Sequence, residues 1–193
     1  MEALVERGVQ LDVLEMDDRM VPRMMDQAGA GLIKQWCSSK GVRVHTSARV
    51  RALQPEAGGG LRLECEGAPD LSADLVVVAT GVQPNIDFLD RSGIAVGQGV
   101  QVDEHLRSSL PEVYAAGDVC EGLDWSTGGR AVHAIQPAAS EHGRIAALNM
   151  AGVETAYQGS LNMNVLDTLG LISSSFGQWM DSADGETASR IDA

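Results

Sequence analysis

Apolar and polar positions along the chain sort into alternating helical and extended stretches, punctuated by Gly, Pro and Asx residues. Residues 1–8 follow helical spacing, with Gly8 as a C-terminal stop. Residues 9–14 alternate apolar and polar and predict a strand that ends at Glu15. Met25, Leu32, Ile33 and Trp36 predict an amphipathic helix from about 24 to 40, closed by Gly41. Residues 42–45 predict a short strand. Segments 48–53, 61–66 and 72–79 follow, separated by the turn-rich stretches 54–60 and 67–70, and predict an antiparallel meander. A helical turn at 87–89 comes next, then short strands at Val100 and Val102 and at 113–115, and a flexible stretch at 122–130. Residues 131–150 are Ala-rich and helical in pattern, with Pro137 tolerated near the start and Gly152 past the end. Two strands are expected at 161–166 and 171–176, and a disordered tail at 180–193. Strands and helices alternating in this way define an α/β chain.

Composition narrows the partners. The formal charge of -13 argues against nucleic acid and against anionic membrane, both of which need clustered Lys and Arg. No apolar run approaches the roughly 20 residues that cross a bilayer. Cys37, Cys65 and Cys120 are odd in number and widely spaced, which fits a reducing, cytoplasmic compartment. His45, His105, His133 and His142 show neither i, i+4 pairing nor a Cys at zinc spacing, so a metal site is not expected, and His133, close to the stretch at 134–139, is expected to be either hydrogen-bonded or exposed.

Two stretches carry the chemistry. Leu110-Pro111-Glu112-Val113-Tyr114-Ala115-Ala116 reads as a short apolar strand that stops at Gly117-Asp118. Gly117 lacks a Cβ and permits close approach, and Asp118 puts a carboxylate at the strand end. Upstream, Leu75-Val76-Val77-Val78-Ala79 runs into Thr80-Gly81. In this order and separation the two resemble the flavin-dependent pyridine nucleotide-disulfide oxidoreductases, in particular the NADH oxidase, ferredoxin or rubredoxin reductase and nitrite-reductase-like branch. The likeness runs from about residue 1 to about 177.

The resemblance implies a partial Rossmann-like FAD/NAD(P)-binding fold with a β-meander, truncated at both ends. Residues 1–90 would be the C-terminal part of the NAD(P)-binding domain and 91–152 the C-terminal segment of the FAD-binding domain. Residues 153–193 would begin a third domain. Members of the family carry two G-x-G-x-x-G fingerprints, and neither is present in these 193 residues. The chain is therefore expected to be a fragment, cloned or truncated, that binds no cofactor and is inactive by itself.

Residue by residue, the resemblance implies that Glu15 accepts hydrogen bonds from the adenine ribose of the nicotinamide nucleotide. The Met16-Asp17-Asp18 that follows supplies no immediate cation for a 2′-phosphate, although Arg19 is near, and NADH is favoured over NADPH. Gly81 would turn the main chain beside that nucleotide. Gly117 and Asp118 would meet the ribityl arm of FAD. Gln136, Pro137 and Ala138 would open a helix along the flavin ring, where the first N–H groups lack internal partners. Gln136 departs from the Trp common there in several relatives. The parent activity implied is hydride transfer from NAD(P)H to FAD and on to an unknown second acceptor. The alternative is a non-catalytic oligomerising or binding module, in which exposed sheet edges promote a homodimer.

Overall fold

The computed structural model describes residues 1–178 together with Ala188 and Arg190. The tail expected at 180–193 lies, apart from those two residues, outside the described residues. The chain divides into two units, Met1–Ala79 with the segment from Met163 onward, and Thr80–Asn162.

The first unit starts with a short helix α1 (Glu2–Val5), strand β1 (Asp12–Leu14), helix α2 (Gln27–Ser39) and strand β2 (Arg43–His45). β1 and β2 pair in parallel, Val13 opposite Val44, so α2 is the crossover that parallel strands require. Asp26 caps α2 by accepting the Gly29 N–H at 2.8 Å. The buried face of α2 is Ala30, Ile33 and Cys37, packed with Met20, Met25 and Val42 and flanked by Val13 and Val44. A meander of β3 (Arg49–Pro55), β4 (Leu61–Glu66) and β5 (Leu71–Ala73) follows, with a bulge between Val50 and Ala52. The final hairpin, β9 (Met163–Thr168) and β10 (Leu171–Phe176), returns to this unit. Leu169 and Leu171 pack on the α2 core, and Trp36 donates Nε1–H to the Leu169 carbonyl at 3.1 Å.

The second unit holds β6 (Val100–Gln101), β7 (Cys120–Leu123), β8 (Arg130–Val132) and helix α3 (Gln136–Met150). β6 and β7 are parallel, and β7 and β8 antiparallel. Val100, Val102, Leu106, Cys120, Ile145 and Tyr157 form its core. Gly122 in β7 lies where a Cβ would come within 3.3 Å of the Tyr157 ring, so the glycine allows the strand and the ring to pack closely.

Several expectations are corrected. The run 75–79 forms no strand: Leu75, Val77 and Val78 are 69, 68 and 75 % exposed, and the meander's third strand stops at Ala73. An all-apolar strand is stable where neighbours cover both faces, and no described residue pairs with this one. The segment 113–115 makes a single bridge, Arg107 to Tyr114, instead of a strand. The stretch expected to be flexible, 122–130, contains parts of β7 and β8. In α2, Leu32 is exposed and the smaller Ala30 and Cys37 take its place in the core.

Candidate functional site

In the second unit the path to the Gly-Asp turn is fixed from below. Asp103 Oδ1 accepts the N–H groups of His105 and Arg107 at 2.8 and 2.9 Å, closing a tight loop in which fully buried Leu106 sits at φ +62°. Ala115 N–H donates to the Leu106 carbonyl at 3.2 Å, and this holds the extended segment that leads to Gly117. Gly117 takes φ +77°, a left-handed conformation strained for residues with a Cβ, and Gly117–Val119 makes one 3-10 turn. Asp118 is exposed in that turn. Among the described residues, no side chain or N–H donates to its carboxylate, which leaves both oxygens available to an outside donor.

Helix α3 starts beside this turn. A Cβ on Gly117 would lie 3.6 Å from Ala139 Cβ, and Gly117 N–H donates to His142 Nδ1 at 3.3 Å. No side chain caps the α3 start at Ile135, and Pro137 occupies its first turn. Gln136 and Pro137 are exposed and Ala138 is buried. The helix therefore presents uncapped N–H groups and the positive end of its dipole beside an exposed carboxylate turn. This suits a ligand with both hydroxyls and electron-rich acceptor atoms. Gly117, Asp118, Gln136, Pro137 and Ala138 all belong to this one turn-and-helix arrangement. Gly81 lies at the start of the same unit with φ +101°.

Glu15 stands in the first unit, directly after β1. Its N–H donates to the His45 carbonyl at 2.8 Å, and its carbonyl accepts from Ala48 at 2.9 Å. Oε1 accepts the Asp17 N–H at 3.0 Å. Arg19, the nearest cation considered for a 2′-phosphate, is held locally by Asp18 at 3.0 Å and by the Met25 carbonyl at 3.1 Å. Beneath this strand end Asp12 pairs with Arg43 and His45, and hydrogen bonding from Arg43 holds the Asp12 carboxyl down at about 2.

Sequence reasoning missed a buried polar seam behind the Gly117 turn. His142 stands edge-on to Tyr157 with ring centroids 4.7 Å apart, and the Tyr157 hydroxyl lies 2.5 Å from Ser160 Oγ. Asp124, buried nearby, accepts from Ser126, and His133 Nε2 lies 3.9 Å from Asp124 Oδ1. His133 is the histidine expected to be hydrogen-bonded or exposed. Instead it is buried, as is His142, and among the described residues the Nε2 atom of each has no hydrogen-bond partner. Burial pushes both imidazoles below the usual 6.5, and in His142 the charge of His133 adds to it. Burial raises the Asp124 carboxyl, but the Ser126 and Thr127 donors outweigh it and leave the group below its ordinary value. Burial pushes the Cys120 thiol up to about 12, so it stays a neutral thiol. Only the periodicity of α3 could have signalled His142, because it shares the buried face with Ala138, Ile145 and Asn149.

The architecture places the chain among mixed α/β FAD- and NAD-binding oxidoreductases. The structure of a NAD-dependent persulfide reductase from A. fulgidus matches 92 % of this chain and 33 % of its own, with a TM-score of 0.87 and 30 % identity. The chain belongs to the pyridine nucleotide-disulphide oxidoreductase family, whose model matches residues 2–143. It is 33 % identical over 193 residues to the epsilon subunit of the NADH-dependent phenylglyoxylate dehydrogenase of Aromatoleum evansii, covering 99 % of this chain and 45 % of that protein. It is 30 % identical over 162 residues to the NADH oxidase of Methanocaldococcus jannaschii, covering 82 % of this chain and 35 % of the relative. The chain thus spans less than half the length of these relatives. No described helix is long and apolar enough to cross a membrane.

Proposed function

We propose that the chain is part of a flavoprotein oxidoreductase that moves hydride from NADH to FAD and on to a second acceptor. Residues 1–90 serve the nicotinamide nucleotide, 91–152 close the FAD site, and 153–193 open a third domain. The observation that carries the reading is the Gly117-Asp118 turn packed on the uncapped start of α3. Bound FAD supplies the redox chemistry, and the protein supplies binding, orientation and electrostatics. Asp118 accepts hydroxyl donors of the ribityl arm, and Gly117 lets the main chain come close to it. The N–H groups of the first turn of α3, at Gln136 and Ala138, would be donors to acceptor atoms of the ring, and Pro137 presets that turn. Glu15 accepts from a ribose whose 2′ position carries a hydroxyl, because Arg19 is already engaged beside it. Gly81 turns the chain at the crossing between the nucleotide segments. Three free thiols, one of them pushed up to about 12, suit a reducing, cytoplasmic setting.

The test joins the chain to the fingerprint-bearing portion of the Methanocaldococcus NADH oxidase and measures FAD bound after gel filtration. The 193-residue chain alone is expected to elute colourless and to leave NADH unoxidised, because the pyrophosphate-holding helix starts are not in it. The complemented chain is expected to hold FAD, and Asp118→Ala to weaken it by about tenfold or more. Flavin content unchanged in Asp118→Ala overturns the assignment.

The exposed apolar run 75–79 favours a second reading, a non-catalytic module that pairs through this segment into a homodimer. Light scattering coupled to size exclusion decides it: a monomer at micromolar concentration counts against the module.

A further inference from the structure

The Gly117 turn rests on a side chain that no feature of the sequence singled out. Gly117 N–H donates to His142 Nδ1 at 3.3 Å, and among the described residues this is the only hydrogen bond that the buried imidazole makes. The ring's orientation is set on its other side by the edge-on contact with Tyr157, whose hydroxyl meets Ser160 and whose N–H donates to the Glu104 carbonyl at 2.6 Å. With Nδ1 accepting, the proton resides on Nε2, and the ring is neutral. Burying an imidazole with one nitrogen unsatisfied is unfavourable, and the Gly117 contact is the one polar interaction to set against it.

We propose that His142 is a positioning residue for the flavin site: by accepting the Gly117 amide it holds the left-handed turn and so sets the direction in which Asp118 leaves the backbone. The inference deepens the flavin reading above and rests on it. His142 acts through the main chain of Gly117, the residue before Asp118.

The arrangement also has a pH signature. A protonated His142 would carry N–H on both nitrogens, and Nδ1–H would then oppose Gly117 N–H, donor against donor. The titratable groups that bear on the ring are His133 from the segment before α3, Glu141 on α3 itself and Tyr157, which meets it edge-on, while Asp118 follows Gly117 in the turn. Cys120 and Asp124 bear in turn on Tyr157. Of these, His133 disfavours the imidazolium and Glu141 favours it, while burial acts against it. The bond therefore persists through neutral pH and is lost below the ordinary histidine range.

The experiment measures hydrogen-exchange protection of the Gly117 amide in the 193-residue chain by nitrogen-resolved NMR, with the Ala139 amide inside α3 as internal control. His142→Asn keeps an acceptor where Nδ1 stands and cannot titrate; His142→Phe keeps the ring and removes the acceptor. Gly117 protection is expected to fall with acid in the wild type, to stay flat in His142→Asn, and to drop about tenfold in His142→Phe with Ala139 unchanged. Nitrogen shifts of His142 are expected to report the Nε2–H tautomer. In the complemented chain, FAD content is expected to fall in His142→Phe and to be kept in His142→Asn.

A Gly117 amide indifferent to His142→Phe overturns the proposal. So does flavin content that ignores His142→Phe while Asp118→Ala loses it, and in that case the flavin reading stands. If Asp118→Ala keeps its flavin, that reading falls and the positioning role with it, whatever the amide measurement shows.

Discussion

The two units bury different kinds of side chain. Asp124, His133, His142, Asn149 and Ser160, the buried polar residues among those described, all lie in Thr80–Asn162. The unit built on α2 keeps its ion pairs, such as Arg51 with Glu66 and Arg62 with Asp70, at the surface and fills its centre with Ala30, Ile33, Cys37 and Val42. Apolar packing tolerates many arrangements of similar volume, whereas a buried hydrogen bond has one geometry. The unit that carries the Gly117-Asp118 turn is thus the one whose interior is specified by direction as well as by volume.

The largest effects should separate the two kinds of interior. Ile33→Ala removes a side chain that is 2 % exposed and is expected to cost about 3–4 kcal/mol in urea unfolding followed on amides of α2. In the other unit Asn149 Nδ2 lies 3.1, 3.0 and 2.8 Å from the carbonyls of His105, Ile145 and Thr155, and Oδ1 accepts the Thr155 N–H at 3.0 Å. Asn149→Leu keeps the branching and the number of heavy atoms and strands those groups. A cost of about 3 kcal/mol is expected for the second unit, and a loss below about 0.5 kcal/mol would show that its polar interior is dispensable.

Acid should act on the units in different windows. His133 and His142 are neutral when folded, with values below the usual 6.5 because of burial. Below 6.5 the unfolded chain takes up protons that the folded one refuses. The second unit's stability is therefore complete above that pH and falls as pH drops toward the folded values. Asp12 in the first unit is depressed from 3.8 to about 2 by Arg43 and His45. Its contribution, about 1 kcal/mol after solvent screening, is present above 3.8 and lost as pH falls toward 2. Circular dichroism with unit-specific amide exchange checks the order, and simultaneous acid transitions would break the contrast. The smallest effect belongs to Arg51→Ala, whose exposed pair with Glu66 is expected to contribute under about 0.5 kcal/mol by thermal melts.

Legibility in the sequence follows the same divide. The helix of α2, the meander strand 61–66 and the hairpin strand 171–176 can be read from local periodicity, because each buries one face of its own. Strands β7 and β8 could not be read: Cys120-Glu121-Gly122-Leu123 is short, contains a glycine and gains its meaning from Tyr157 more than thirty residues on. The apolar run 75–79 was misread for a related reason, since a strand is a property of its neighbours as much as of its own residues. Gly117 and Asp118 were legible by type and order, and Glu15 by its place after a strand. The His142 contact was not, because a single acceptor aimed at one backbone N–H leaves no mark on spacing.

The final hairpin settles a matter of timing. Trp36 and Leu169 are separated by 133 positions, yet one bonds the other inside the same unit. As a ribosome releases the chain from its N-terminus, residues 80–162 emerge whole before Leu169 can reach α2. Of these two units, the later-starting one is thus complete first. Until then α2 waits with part of its apolar surface uncovered, and protection from chaperones matters most in that interval.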